Sequence, residues 1–341
     1  MDRLQSVEIV SAAAGRVECD ILLKNASVVD VFTCTIFNAS IGIYKGRFVG
    51  FGEYCAKQVI DCSGKYVCPS LLDAHSHVES SLVGPREYAS AALPHGITGI
   101  AADPHEIANV AGGKGIEWMI EQSKGAPFDF LWMLPSCVPA TPMETSGAKL
   151  TAVDLKPLLS CDSVYGLAEV MDFISMRSAY SDILAKIDNA RDAGKKVDGH
   201  CSGLAQYDLN IYASVGVNSD HESATAEEVL QRVRRGMYAF LRDGGAAKNL
   251  LSFISAIKLN NGRHMCLCSD DKHIDELVSE GTIDHAVRLL IDNGIRAEVA
   301  ICMASLNTAQ RFGLDNKGAI AVGYSADFLI LDDLNKFVIN S

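Results

Sequence analysis

From Tyr66 onward the chain repeats one texture: a short apolar run closing on polar residues, followed by a helix-like stretch. The runs are YVCPSLLDAH, ITGIAAD, FDFLWMLP, SVYGLAEVM, KKVDGHC, GVNSDHE, MYAFLRD and RHMCLCSD. Apolar runs alternating with helices mark βα units and a parallel sheet buried on both faces. Eight in succession predict an α/β chain with a closed, TIM-like (β/α)8 barrel, whose functional groups gather at the C-terminal ends of the strands. The intervening segments start like helices. In Asp103-Pro104-His105-Glu106, Asp103 reads as the N-cap, Pro104 as the first helical position and Glu106 as the acid of a capping box. Thr225-Ala226-Glu227-Glu228 repeats that box and opens a helix carrying Val229, Leu230, Val233 and Met237 along one face.

Before the barrel, DILLKNASVVDV, IGIYKGRFVGFG and QVIDCSGKYVC alternate apolar and polar residues between Gly- or Asn-rich turns, as short strands do. After it, GAIAVGYSADFLILDD reads as a strand pair around Gly323 that returns to the first module. The expected layout is residues 1–65 as the N-terminal part of a small β-sandwich module, 66–315 as the barrel, and 316–341 as strands completing the module. A length of 341 residues suits one large barrel with an appendage.

Lys and Arg number 30 against 42 Asp and Glu, leaving a net charge of −12, which disfavours nucleic-acid backbones as partners. No run approaches the roughly 18 apolar residues of a membrane span, and MDRLQSVEIVSAAAGR lacks the apolar centre of a secretory leader. The 11 cysteines are scattered, with no C-x-x-C pair, so neither a disulfide framework nor a zinc knuckle is indicated. A cytoplasmic protein without membrane contact is expected.

His75 and His77 sit two apart at the end of the first barrel run, so both imidazoles point to one side of a strand. Other run ends bring Glu169, His200, His221 and Asp270 to the same mouth. Imidazole suits zinc, iron and related first-row ions, and a carboxylate adds a harder oxygen ligand able to bridge two of them. One or two divalent cations are therefore expected. Such ions bring the pKa of water from about 15.7 towards 7 and polarise the bond under attack, which predicts metal-assisted hydrolysis. Adjacent Asp270 and Asp271 point to opposite faces, and Asp270 is taken as the ligand. His105 and Glu106 have a structural explanation in the helix start, with a substrate or extra-metal role as the alternative. His273, just past the Asp pair, is a candidate substrate contact, while His95, His264 and His285 read as structural.

Competing motifs are incomplete. AGGKG lacks the Lys-Ser/Thr ending of a phosphate loop, and no G-x-G-x-x-G or G-x-S-x-G occurs. His77-Val78-Glu79 matches half of the small zinc deaminase signature, but the P-C-x-x-C half is missing.

Taken together, DAHSHVESS (73–81), ADPHEIANV (102–110), LPSCVPATPMETSGA (134–148), GLAEVMDF (166–173), VDGHCSGL (197–204), SDHESATAEE (219–228), AAKNL (246–250), CSDDKH (268–273) and GAIAVGYSADFLIL (318–331) resemble the adenine deaminase family of the amidohydrolase superfamily. The resemblance implies hydrolytic deamination of adenine to hypoxanthine and ammonia in purine salvage, on a centre of Fe2+, Mn2+ or Zn2+. It carries the metal-ligand role to His75, His77, Glu169, His200, His221 and Asp270. Many superfamily members bridge their metals with a modified lysine on the fourth strand; residues 163–172 contain no Lys, and Glu169 holds the matching place. For such a reaction we expect Asp270 to accept a proton from the attacking water and Glu79 or Asp271 to supply one to the purine and its departing amine, because NH2⁻ is too basic to leave unaided. The Pro-rich loop SCVPATPMETSG is expected to cover a flat purine base, the small-molecule partner. A homo-oligomer, a dimer, is the expected assembly. Family members ordinarily continue past the point where this sequence stops, so an inactive metal-binding fragment is one alternative. A cyclic-amide hydrolase of the dihydroorotase or hydantoinase kind is the other.

Overall fold

The computed structural model describes residues 3–141 and 143–341; Pro142, inside the loop expected to cover the substrate, lies outside the described residues. A helix the sequence reading passed over, Arg3–Ala13, comes first. Strands β1 (Cys19–Asp30), β2 (Thr35–Tyr44), β3 (Arg47–Phe51), β4 (Ala56–Asp61) and β5 (Tyr66–Pro69) follow. Then come β6 (Leu71–Ser76), β7 (Ile97–Ala102), β8 (Asp129–Leu134), β9 (Val164–Val170), β10 (Lys196–Gly199), β11 (Ser219–Asp220), β12 (Tyr238–Arg242) and β13 (Met265–Cys268), interleaved with helices. The last strands are β14 (Phe328–Asp333) and β15 (Val338–Ile339). The chain divides into two compact units, Met1–Leu71 with Val287–Ser341, and Leu72–Ala286.

The first unit holds a seven-stranded sheet in the order β15-β14-β5-β1-β2-β3, with β4 also paired to β1. A register break between Leu23 and Ala26, with Asn25 in the left-handed region at φ 60, divides β1 in two. Its first half pairs with β4 and its second with β5. Leu23, Val28, Ile41, Phe48, Val67 and Ile330 pack on one another over this sheet. The strand pair expected around Gly323 falls later, as β14 against β15. Residues 323–326 instead form a turn bonded to β3 and its neighbour: Gly323 N donates to Phe48 O at 2.8 Å and Ala326 N to Gly46 O at 2.8 Å.

The run YVCPSLLDAH splits at Ser70, whose N–H donates to Asp327 O, and next to Pro69, which has no N–H to offer a ladder. β5 therefore belongs to the first sheet and β6 opens the second unit. There β10-β9-β8-β7-β6 form one parallel sheet and β11-β12-β13 another. Hydrogen bonds run between the two at both margins. Asn218 N, just before β11, donates to Val197 O of β10 at 3.4 Å, and Asp270 N, just after β13, donates to His75 O of β6 at 2.9 Å. A Cβ on Gly199 would fall 2.4 Å from Ser219 O, so glycine is what lets β10 and β11 approach. The result is a curled parallel arrangement with β6 buried along its whole length.

The box at Thr225 is present: Thr225 Oγ1 accepts from Glu228 N, and Thr225 N donates to Glu228 Oε2 at 3.1 Å. Its helix stops at Val233, so Met237 lies beyond it. The box at Asp103 is absent, because the helix His105–Ala111 starts after Pro104 without a side-chain cap. Leu134, Leu167, Val170, Ile187 and Val197 pack into one core cluster of this unit. Each such side chain contributes roughly 1.5–3 kcal/mol, the scale against which the buried charges beside them must be held.

Candidate metal centre

Strand ends bring six of the sequence candidates together inside the second unit. His77 Nδ1–H donates to the backbone carbonyl of Asp103 at 3.0 Å, so in the neutral ring Nε2 carries the lone pair. That Nε2 lies 3.1 Å from His75 Nε2 and 3.1 Å from Asp270 Oδ1, while His75 Nε2 is 3.6 Å from the same oxygen. Glu169, from β9, joins this set to the other two histidines. Its Oε2 lies 2.7 Å from His200 Nδ1 and 3.1 Å from His221 Nε2, and its Oε1 is 3.7 Å from His77 Nε2. The His75 and His221 rings stack at 4.0 Å.

Two ligands about 2.1 Å from a tetrahedral cation are separated by about 3.4 Å, and these donor-to-donor distances scatter around that value. The groups His75–His77–Asp270, His75–Glu169–His221 and His200–His221–Glu222 each keep their ligating atoms within 4.8 Å of one another. The donors therefore fit one or more divalent cations by chemistry and by spacing, and a backbone-bonded Nδ1 is the usual support of a ligating imidazole.

The electrostatics agree. Burial alone would raise the Glu169 carboxyl, but His221, His200 and His75 hold it well below the usual carboxylate range. Burial opposes ionisation of Asp270 as well, and its bonds to His75 and His77 overcome it, so this carboxyl too is strongly lowered. Conversely, burial would lower His221, and the Glu169 and Asp270 carboxylates push it up to about 9. His75 moves the other way, lowered by burial and by His221 beside it, so the carboxylates favour added positive charge while the crowded imidazoles do not all hold it as protons.

Several supporting residues were not anticipated. Arg242, at the end of β12, donates through Nη1 to Asp270 Oδ2 at 2.6 Å and also to Glu222 Oε1. Asp270 itself sits in the left-handed region at φ 58, and His77 N donates to its carbonyl. Next to His221, Asp220 is fully buried and pairs with Arg232 Nε at 2.9 Å. The signal for Arg242 was a lone basic residue ending an apolar strand; nothing local marked its partner.

The remaining candidates divide. Glu79 is drawn close to the helix after β7, with Oε1 accepting from Ile107 N at 3.3 Å and a buried Oε2 without a hydrogen-bond partner. Burial, then the Glu106 carboxylate, pushes its carboxyl up to about 8. Glu106 Oε2 lies 3.7 Å from His77 Nδ1. His105 Nδ1 is 3.1 Å from Asp103 Oδ2 and 3.5 Å from Glu169 Oε1. Asp271 is exposed and accepts a hydrogen bond from Ser80 Oγ. His273 is exposed at the start of the helix Ile274–Glu280 and is not among the gathered groups. Ser136–Thr141, from the Pro-rich loop, and Lys149–Thr151 line a cavity of about 540 Å³ whose wall includes none of the six gathered residues.

Comparison with known proteins places these features in a family. The amidohydrolase family model matches residues 66–341. An adenine deaminase of Bacillus velezensis is 47% identical over 339 residues, covering 99% of this chain and 59% of its own length. The adenine deaminase of Bacillus subtilis (strain 168) is 45% identical with the same coverage of 99% and 59%. This chain thus spans about 59% of the length of these curated relatives. Among solved structures, the β-aspartyl dipeptidase of Fervidobacterium islandicum AW-1 aligns with a TM-score of 0.69 at 16% identity, over 94% of this chain and 93% of that one. A D-hydantoinase gives 0.65 at 17% identity, over 92% and 86%. These two share the fold. With a matching family model over most of its length and a donor set at its strand ends, the chain belongs to the amidohydrolase family.

Proposed function

We propose that this chain carries the centre for hydrolytic deamination of adenine to hypoxanthine and ammonia. The observation that carries the reading is the convergence of His75, His77, Glu169, His200, His221 and Asp270, six donors from five strand ends, in a chain 45–47% identical to adenine deaminases. One or two divalent cations, Fe2+, Mn2+ or Zn2+, held by those six side chains would supply Lewis acidity and make water acidic near neutral pH.

The chain's own residues divide the proton transfers. Asp270 Oδ1 faces the donor set and accepts the proton of the attacking water, while Arg242 fixes Oδ2 so that the carboxylate cannot turn away. Glu79 is assigned the proton donor to the purine and its leaving amine, at Oε2. That oxygen is buried and unpartnered, and the raised carboxyl holds its proton near neutral pH, as general acid catalysis needs. Asp271 is the weaker choice because it is exposed and bonded to Ser80. Glu106, 3.7 Å from His77 Nδ1, and His105, 3.5 Å from Glu169 Oε1, stand beside the set as candidates for a substrate contact or an extra metal.

The eight strands β6–β13 are read as a closed (β/α)8 barrel, supported by their parallel order and the bonds at both sheet margins. Residues 1–65 and 316–341 are read as its β-sandwich module, supported by the bonds from Gly323 N to Phe48 O and from Ala326 N to Gly46 O. A cytoplasmic location is supported by 11 cysteines that form no disulfide. Among the described residues no helix is long and apolar enough to cross a membrane. The expected homodimer is read by analytical ultracentrifugation.

The test is ammonia release from adenine by the purified chain, with metal content measured on the same sample. Release by the wild type and its loss in His200→Ala support the reading. Metal without release removes the activity, and undiminished turnover in His200→Ala removes the site.

A further inference from the structure

Beside the six-residue set lies a second gathering of donors. Asp103 follows β7 directly, and its backbone N donates to Ser76 O at 3.1 Å, which fixes it at the same mouth. Its side chain does not cap the following helix. It is 1% exposed; Oδ2 sits 3.1 Å from His105 Nδ1, and Oδ1 is buried without any hydrogen-bond partner. His105 Nδ1 is also 3.5 Å from Glu169 Oε1. The ligating atoms of Asp103, His105, Glu169 and His77 all lie within 4.8 Å of one another.

A hydrogen bond accounts for part of this. One proton on His105 Nδ1 serves one oxygen well, leaving Asp103 Oδ1 desolvated and unanswered, which is unfavourable for a buried carboxylate. A cation among the three side chains would bind both carboxylates and the imidazole, and the separations of 3.1 and 3.5 Å at His105 Nδ1 lie near the value of about 3.4 Å between ligands of one tetrahedral ion. Glu169 Oε2 is turned to His200 and His221, while Oε1 stands between His105 Nδ1 at 3.5 Å and His77 Nε2 at 3.7 Å, so a cation here shares that oxygen with the His77 side of the six-residue set.

We propose that Asp103, His105 and Glu169 Oε1 form a further cation position, adjoining the His75–His77–Asp270 group and apart from His200 and His221, that takes a divalent first-row ion. Two carboxylates and one imidazole favour a harder ion of the Mn2+ type. Because it borrows an oxygen of Glu169, the position rests on the reading of the six-residue set as a metal centre.

The test uses the full chain, stripped with a chelator and dialysed against saturating Mn2+, with bound manganese counted by plasma mass spectrometry. Asp103→Asn preserves shape, His105→Ala removes the nitrogen, and far-UV circular dichroism confirms that both fold. The wild type is expected to hold one equivalent more than either variant, and an anomalous map at the manganese edge is expected to show a peak between Asp103 and His105. Equal, non-zero counts in all three chains overturn this position and leave the six-residue centre standing. No manganese in any chain overturns both.

Discussion

Two sets of buried charge lie next to each other in the second unit and are organised in opposite ways. Around Asp220, every carboxylate oxygen meets donors: Oδ1 accepts from Cys201 N at 2.8 Å and Glu222 N at 3.1 Å, and Oδ2 from Arg232 Nε and Ser223 Oγ, both at 2.9 Å. Arg232 in turn gives Nη2 to Cys201 O at 2.7 Å, leaving Nη1 unmatched. One residue further along, His221 enters a set where potential ligand atoms crowd one another, as with the two Nε2 atoms of His75 and His77 at 3.1 Å. In the first arrangement both carboxylate oxygens are answered by the protein's own donors, and the second gathers ligating atoms that a cation would answer. Burial alone therefore does not separate a structural charge from a functional one; what faces it does.

That contrast is open to direct attack. Arg232→Met leaves the Asp220 carboxylate buried without its counter-ion, and the expected cost is about 3–5 kcal/mol of stability, read as a fall in urea midpoint. A loss below about 1 kcal/mol would show that the pair is not closed in the sense argued. Glu169→Gln is expected to do the reverse, leaving the fold intact while deamination and metal retention fall roughly 10³-fold, several kcal/mol. Arg242→Met should lower kcat roughly 10–100-fold as Asp270 loses its orientation, with partial recovery in Arg242→Lys. If metal content and kcat both stay at wild-type values, Arg242 belongs with the structural charges. The smallest effect is expected at the periphery: Thr225→Ala removes one cap and about 1 kcal/mol of stability, without change in kcat.

The strand ends were legible in the sequence because each apolar run stops at a polar residue, and i, i+2 alternation alone put His75 and His77 on one side. The break at Ser70 was not legible, since Tyr66–Ser76 is apolar enough on both sides to read as one strand. Asp103 was misread for a physical reason: Asp-Pro-x-Glu follows the grammar of a helix start, and only the tertiary approach of His105 and Glu169 shows where its carboxylate goes. Arg242 escaped because its partners, Glu222 and Asp270, come from two other strand ends.

Asp270 also occupies the seam at which β6 and β13 meet, its N–H bonded to His75 and its carbonyl to His77. The stitch that joins the earliest and latest strands of this unit is thus made at a residue that would also grip the ions. Gentle warming that unpicks this one seam would scatter the donors while most helices persist, so turnover should fade before ellipticity does.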